Sequence, residues 1–233
     1  GRVNAVTDAR GNTTSFSYDG FAKPAVNTYP DRSQRRLRYD TEGNVTMVIN
    51  RRGESRTFEY NSVGQPTRST LPDGQRTEIE YDGKGNMITI SNAQGTIRFE
   101  YDSADRMTKV TYPDGRFLAY GYDAGGRRIQ MTDASGAVIH YAYDAVGRVS
   151  GLTDGGGGLL VRYSYDAAGR LAQRDYGNGT FTTFEYDTLG RIGEVVNHRA
   201  SGAENSRFEY GYDAIGRVAI VSTPDGQWVY QYD

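Results

Sequence analysis

The sequence predicts an all-β fold of repeated hairpins, and three observations carry that prediction. A Tyr-Asp pair recurs at a near-fixed interval, a strand-like alternation precedes each copy, and a turn signature follows it. The pairs start at Tyr18, Tyr39, Tyr81, Tyr101, Tyr122, Tyr143, Tyr165, Tyr186, Tyr212 and Tyr232, with a Tyr-Asn variant at Tyr60. Successive intervals are 21, 21, 21, 20, 21, 21, 22, 21, 26 and 20 residues. A period in this range marks a repeat architecture, one small supersecondary unit stacked many times. Residues 1–233 therefore read as a single array of about eleven repeats.

Each element of the unit follows from its residues. In the copy from Arg106 to Asp123, Met107 to Tyr112 is rich in β-formers and reads as a first strand. Pro113-Asp114-Gly115 is turn chemistry, and Pro72 and Pro224 open the same tripeptide. Arg116 to Tyr122 is a second strand, with Leu118, Tyr120 and Tyr122 on one face. Two residues before each motif tyrosine stands Phe16, Leu37, Phe58, Ile79, Phe99, Tyr120, Tyr141, Tyr163, Phe184, Tyr210 or Tyr230. Stacked repeats would set these pairs in two rows, each cross-strand pair stabilising by about 0.2–1 kcal/mol. Two strands per repeat give about 22 in all, and a sheet that long must twist, so a continuous curved, spiralling sheet is expected.

The turn after the tyrosine is equally regular. The motif carboxylates are Asp19, Asp40, Asp82, Asp102, Asp123, Asp144, Asp166, Asp187, Asp213 and Asp233. Glycine falls four residues after the tyrosine at Gly43, Gly64, Gly85, Gly126, Gly147, Gly169, Gly190 and Gly216. Asp-x-x-Gly fits a type I turn closed by a left-handed residue. Ala22 and Asp105 occupy the glycine position in two copies, and the turn at Ala22 is expected to be irregular. Arginine follows at Arg106, Arg127, Arg148, Arg170, Arg191 and Arg217. The next strand places apolar residues three apart, as at Val45 and Val48, which a β-bulge would return to one face.

Composition narrows the functional classes. Leu, Ile, Val and Phe make up under a fifth of the chain, but 19 Tyr and 8 Phe with a net charge of −2 argue for a folded protein packed by aromatics. The 27 Lys and Arg are expected to be spread through the repeats, which argues against a nucleic-acid partner. Zero cysteines exclude disulfides and thiolate chemistry. No apolar run is long enough for a membrane span, and no signal peptide is visible. His140 and His198 lie in different repeats, and no phosphate-binding loop or nucleophile elbow is present, so no catalytic, cofactor or metal residue is assigned and no enzyme activity is expected. The motif residues are read as structural: tyrosine as packing, Asp as turn-former. The surplus in the 26-residue interval, Asn197 to Asn205, is expected to form a protruding loop, and Gly155 to Gly158 a flexible tip.

Tyr143-Asp144-Ala145-Val146-Gly147-Arg148-Val149, Tyr165 to Leu171 and Tyr212 to Val218 carry the unit Tyr-Asp-x-x-Gly-Arg-hydrophobic intact. In this the chain resembles the YD-repeat, or Rhs-repeat, family over essentially its whole length. The resemblance implies a hollow β-shell, as in Rhs effectors, wall-associated contact toxins, the C components of Tc toxins and, among animals, teneurins. It implies a non-enzymatic scaffold that encloses a toxin polypeptide of the same parent protein, made in the cytoplasm and then secreted or delivered, type VI secretion being one such route. Partners implied are the enclosed toxin domain, flanking shell repeats and a delivery-apparatus or chaperone protein. The family's Asp-Pro-x-Gly self-cleavage signature is absent from these residues. Both ends fall at one phase of the repeat, so a fragment of a larger shell is expected. The rival reading is an extracellular adhesion or carbohydrate-binding module, with the aromatic rows as the glycan surface.

Overall fold

The structure is a computed structural model that describes residues 1–232; Asp233, the last of the motif carboxylates, lies outside the described residues. The fold is all-β, with 22 antiparallel strands in one open sheet and no helix among the described residues. The chain divides into two units, Gly1–Phe117 and Leu118–Asp233.

The first unit holds β1 (Ala5–Thr7), β2 (Thr13–Tyr18), β3 (Pro24–Thr28), β4 (Gln34–Tyr39), β5 (Val45–Ile49), β6 (Ser55–Tyr60), β7 (Pro66–Thr70), β8 (Arg76–Tyr81), β9 (Met87–Asn92), β10 (Gly95–Tyr101) and β11 (Met107–Thr111). The unit boundary falls at the start of β12 (Phe117–Tyr122). The second unit continues with β13 (Arg128–Asp133), β14 (Val138–Tyr143), β15 (Val149–Asp154), β16 (Leu159–Tyr165), β17 (Leu171–Tyr176), β18 (Phe181–Tyr186), β19 (Ile192–His198), β20 (Glu204–Tyr212), β21 (Val218–Thr223) and β22 (Gly226–Val229). Each strand pairs with its successor, from β1 to β11 in the first unit and from β12 to β22 in the second.

The apolar spacing of three is resolved by a bulge, as the sequence requires. Tyr39 pairs with Val45 and Arg38 with Met47, so Thr46 is the extra residue. Leu37 pairs with Val48, which returns Val45 and Val48 to the motif-tyrosine face. The same shift recurs beside Tyr18, Tyr60, Tyr81, Tyr101, Tyr122, Tyr143, Tyr165, Tyr186 and Tyr212. Burial is shallow throughout. Val110 and Val196 are the buried hydrophobic residues among those described, and no large side chain is fully buried. Half-buried aromatic and aliphatic rows replace a central core.

Three local expectations are corrected, and the turn at Gly155 to Gly158 is capped like that at Ala22. The turn at Ala22 is regular: Ala22 takes φ 71°, its N–H bonds the Asp19 carbonyl at 3.0 Å, and Asp19 Oδ1 accepts from the N–H groups of Phe21 and Lys23. These bonds impose the left-handed backbone, which costs an alanine about 1–2 kcal/mol. Asn197 to Asn205 is not a protruding loop. Asn197 and His198 end β19, Glu204 and Asn205 begin β20, and Arg199–Ala203 closes a tight turn. Polar pairing extends the strands: Thr182 Oγ1 donates to Asn197 Oδ1 at 2.8 Å, and Asn197 Nδ2 donates to Ser206 Oγ at 2.9 Å. Gly155 to Gly158 forms the same capped turn, with Asp154 Oδ1 accepting from the N–H groups of Gly156 and Gly158. Finally, Pro224-Asp225 is a two-residue turn because Thr223 pairs with Gly226, unlike the turns at Pro72 and Pro113.

Candidate functional surface

The motif tyrosines close a gap that the bulges create. In β3, Pro24 pairs with Tyr18 of β2 at the bulge, while the β3–β4 ladder begins only at Val26. The Pro24 carbonyl is thus left outside the β3–β4 ladder. Tyr39, arriving from β4, donates its Oη to that carbonyl at 2.8 Å. The same bond joins Tyr18 to Val3, Tyr60 to Val45, Tyr81 to Pro66, Tyr101 to Met87 and Tyr143 to Arg128, at 2.7–2.9 Å. It joins Tyr165 to Val149, Tyr186 to Leu171, Tyr212 to Ile192 and Tyr232 to Val218 over the same range. Backbone carbonyls taken out of a ladder need a donor, and the phenol supplies it from the next hairpin. Burial raises the phenol pKa of Tyr39, Tyr60 and Tyr101, which keeps them protonated donors.

The Asp, Gly and Arg of each motif form a second linkage. Asp166 Oδ1 accepts the Arg170 N–H at 2.8 Å, and Oδ2 accepts Arg170 Nε at 2.8 Å. The guanidinium then lies over the Tyr186 ring of the next repeat, 4.4 Å from its centroid. Arg127 over Tyr143, Arg148 over Tyr165, Arg191 over Tyr212 and Arg217 over Tyr232 repeat this at 4.8, 4.1, 4.2 and 4.1 Å. Their own turn carboxylates, Asp123, Asp144, Asp187 and Asp213, hold each arginine by Nε at 2.7 Å. Arg106 and Asp102 pair likewise at 2.7 Å. The Arg170 backbone N–H, then its guanidinium, hold Asp166 below the ordinary 3.8; on Asp213 the Arg217 guanidinium leads and its N–H follows. Gly126, Gly147, Gly169, Gly190 and Gly216 all have φ between 80° and 86°. At Gly169 a Cβ would also come within 3.2 Å of Arg148 Nη1, so that glycine admits the guanidinium of the previous turn.

At three turns of the first unit an amide, Asn44, Gln65 or Asn86, stands in place of the arginine. Asn44 and Asn86 donate to Asp40 and Asp82 at 3.0 Å, and at the Tyr-Asn variant Asn61 donates to Gln65 Oε1 at 3.0 Å. Asp105 accepts at its left-handed position (φ 60°) from Lys84 Nζ and Asn86 Nδ2, both at 2.9 Å. The sequence showed a place for the tyrosine ring and the Asp carboxylate. It gave no sign of the phenol bond, and the arginine's recurrence was its only signal.

His140 is exposed on β14, while His198 on β19 stacks on Phe181 (4.3 Å between centroids, 9° interplanar) with Nε2 3.1 Å from Thr183 Oγ1. The fold does not bring the two histidines together. Among the described residues no group of three or more His, Cys, Asp or Glu is placed to hold a metal ion. An open depression of ≈ 970 Å³ is lined by Asp40, Glu42, Phe58 and Tyr60, but Asp40 is engaged by Asn44. The basic residues are not evenly spread, contrary to expectation. Arg32, Arg35, Arg36, Arg51 and Arg52 gather at the ends of two adjacent hairpins, because antiparallel pairing brings chain segments some twenty residues apart side by side.

Comparison with known proteins agrees with this repeating geometry. A search of curated proteins found no match. Among solved structures, a chain of the TcdB2-TccC3-TEV crystal structure aligns with 91% of this chain at TM-score 0.75 and 17% identity. A chain of the Photorhabdus luminescens Tc holotoxin pore aligns with 94% at TM-score 0.65 and 16% identity, and one of TcdB2-TccC3 without its hypervariable C-terminal region with 98% at 0.64 and 15%. The chain spans only 12–15% of the length of these three. The RHS Repeat profile matches residues 39–76 and 60–97. These likenesses support a structural, shell-type role. The Teneurin YD-shell profile matches residues 88–233, more than half of the sequence and including five turns with the Asp-Arg-Tyr linkage, and the chain belongs to that family.

Proposed function

We propose that this chain is a stretch of the wall of a hollow β-shell, and that the shell encloses a toxin polypeptide and protects it until delivery in bacterial competition or virulence. The observation that carries the reading is the inter-repeat linkage. Within each unit, successive hairpins are tied by phenol–carbonyl bonds and, in the second unit, by an arginine on the following tyrosine. A wall of this kind acts by exclusion, so no residue need catalyse a reaction. The likeness to chains from a Tc holotoxin supports assigning a toxin as the contents. A glycan-binding role would need free aromatic faces, whereas one face of Tyr143, Tyr165, Tyr186 and Tyr212 is taken by a guanidinium.

Because this chain spans a small part of its structural relatives, the test uses the full parent protein. The toxin segment is expected to resist protease while the shell is intact and to be cut once denaturant opens it. Digestion at the rate of the free toxin segment, with the shell still folded, would overturn the proposal.

A further inference from the structure

We propose that the ends of the β3–β4 and β5–β6 hairpins form a docking site for an acidic polypeptide segment, a short run of Asp and Glu. Arg32 lies on one turn, Arg51 and Arg52 on the other, and Arg35 and Arg36 follow Gln34 at the start of β4, on opposite faces. All five are exposed. They line two depressions, one of ≈ 340 Å³ with Tyr29, Arg35, Arg51 and Arg52, the other of ≈ 310 Å³ with Arg32, Arg36 and Arg51.

The local carboxylates leave most of this charge uncompensated. Asp31 is engaged by Arg51, whose guanidinium lies 4.4 Å from the Tyr29 centroid. Glu54 accepts from Asn50 Nδ2 at 2.7 Å. Arg36 is steadied by the neutral Gln34 Oε1 at 2.8 Å. Among the described residues, Arg32, Arg35 and Arg52 have no carboxylate at ion-pair distance.

The chemistry selects the ligand. A guanidinium offers a planar fork of donors that matches a carboxylate through two parallel bonds. From Tyr29 to Arg56 the chain carries seven arginines against four carboxylates, within a net charge of −2, so the remainder is net acidic. A polynucleotide extends beyond such a patch into that acidic surround. A short acidic segment ends where the patch ends, and screening over about 8 Å confines the attraction to it.

The test is fluorescence anisotropy of labelled hexaglutamate with the whole chain, at low and high salt. Binding is expected, weaker at high salt, and reduced about tenfold or more by R35E/R52E. The control R76E/R116E, at the ends of other hairpins, is expected to bind as the parent does. Circular dichroism checks folding, and R35Q/R52Q serves if the double reversal is misfolded. The proposal is overturned if the reversal binds as the parent does, or if the control weakens binding equally. It is also overturned if labelled oligothymidine or phosphatidylserine vesicles bind more tightly than hexaglutamate at the same salt.

Discussion

At the scale of single residues, the motif tyrosine has two jobs that substitution can separate. Tyr165→Phe keeps the ring under Arg148 but removes the donor to the Val149 carbonyl. Leaving a partly buried carbonyl unpaired costs about 1–2 kcal/mol, so urea denaturation of Tyr165→Phe should show a loss of that size. An unchanged midpoint would mean that water replaces the phenol without cost. Ala22 gives the opposite expectation. Its φ of 71° costs about 1–2 kcal/mol, and Ala22→Gly relieves it while adding about 0.4–1 kcal/mol of unfolded-state entropy. The balance is a gain of roughly 0.5–1 kcal/mol, read as a higher denaturation midpoint. The ring's place was legible in the sequence because Phe16-x-Tyr18 and its ten counterparts alternate. The phenol bond was not legible, since its acceptor is a backbone carbonyl about fifteen residues earlier, exposed by a bulge that no side chain announces.

At the scale of the element, the turns make stability depend on acid. Hydrogen bonds from Arg170 and Arg217 lower the pKa of Asp166 and Asp213, and similar bonds lower those of Asp82, Asp102, Asp123 and Asp187. A carboxylate whose folded pKa lies below its unfolded value adds stability that is fully present above the unfolded value. That stability is lost as pH falls through the folded one. Thermal unfolding should therefore hold steady above pH 3.8 and fall progressively below it. Asp166→Asn retains an Oδ1 acceptor but no longer titrates, so its loss of stability on acidification should be smaller than the parent's. Equal slopes would show that this turn contributes nothing to the acid response. The capped turns were legible because Asp-x-x-Gly fixes both a side-chain acceptor and a left-handed position. The ends at Asn197–Asn205 and Pro224 were misread because strand register, set by cross-strand partners such as Asn197 with Ser206 and Thr223 with Gly226, decides where a turn begins.

At the scale of the whole molecule, the period made the strand count and their sequential pairing legible. It hid the arginine cluster, whose members come from separate repeats and meet only through the ladder. Within the second unit the same connectors recur in every repeat, so a whole repeat should be removable. Deleting residues 149–170 joins Arg148 to Leu171 and restores the sequence Tyr-Asp-x-x-Gly-Arg-Leu. Leu171 would then meet Tyr143 at the bulge, its carbonyl would still accept from Tyr186, and Arg148 would lie over Tyr186 in place of Arg170. Every bond lost at one junction is remade at the other. Deleting residues 149–159 instead removes a strand and its turn while keeping most of β16. It places Leu160 directly after Arg148, so that β16, while it keeps its pairing with β17, runs parallel to β14, and a tight turn cannot join the two. In an array stabilised by neighbour contacts, the in-phase deletion should unfold cooperatively in urea. Its m-value should fall by roughly a tenth, in step with the surface removed. The shorter, out-of-phase deletion should lose the cooperative transition. If both deletions unfold alike, the connectors are interchangeable with ordinary strand pairing, and the motif does not set the register of the sheet.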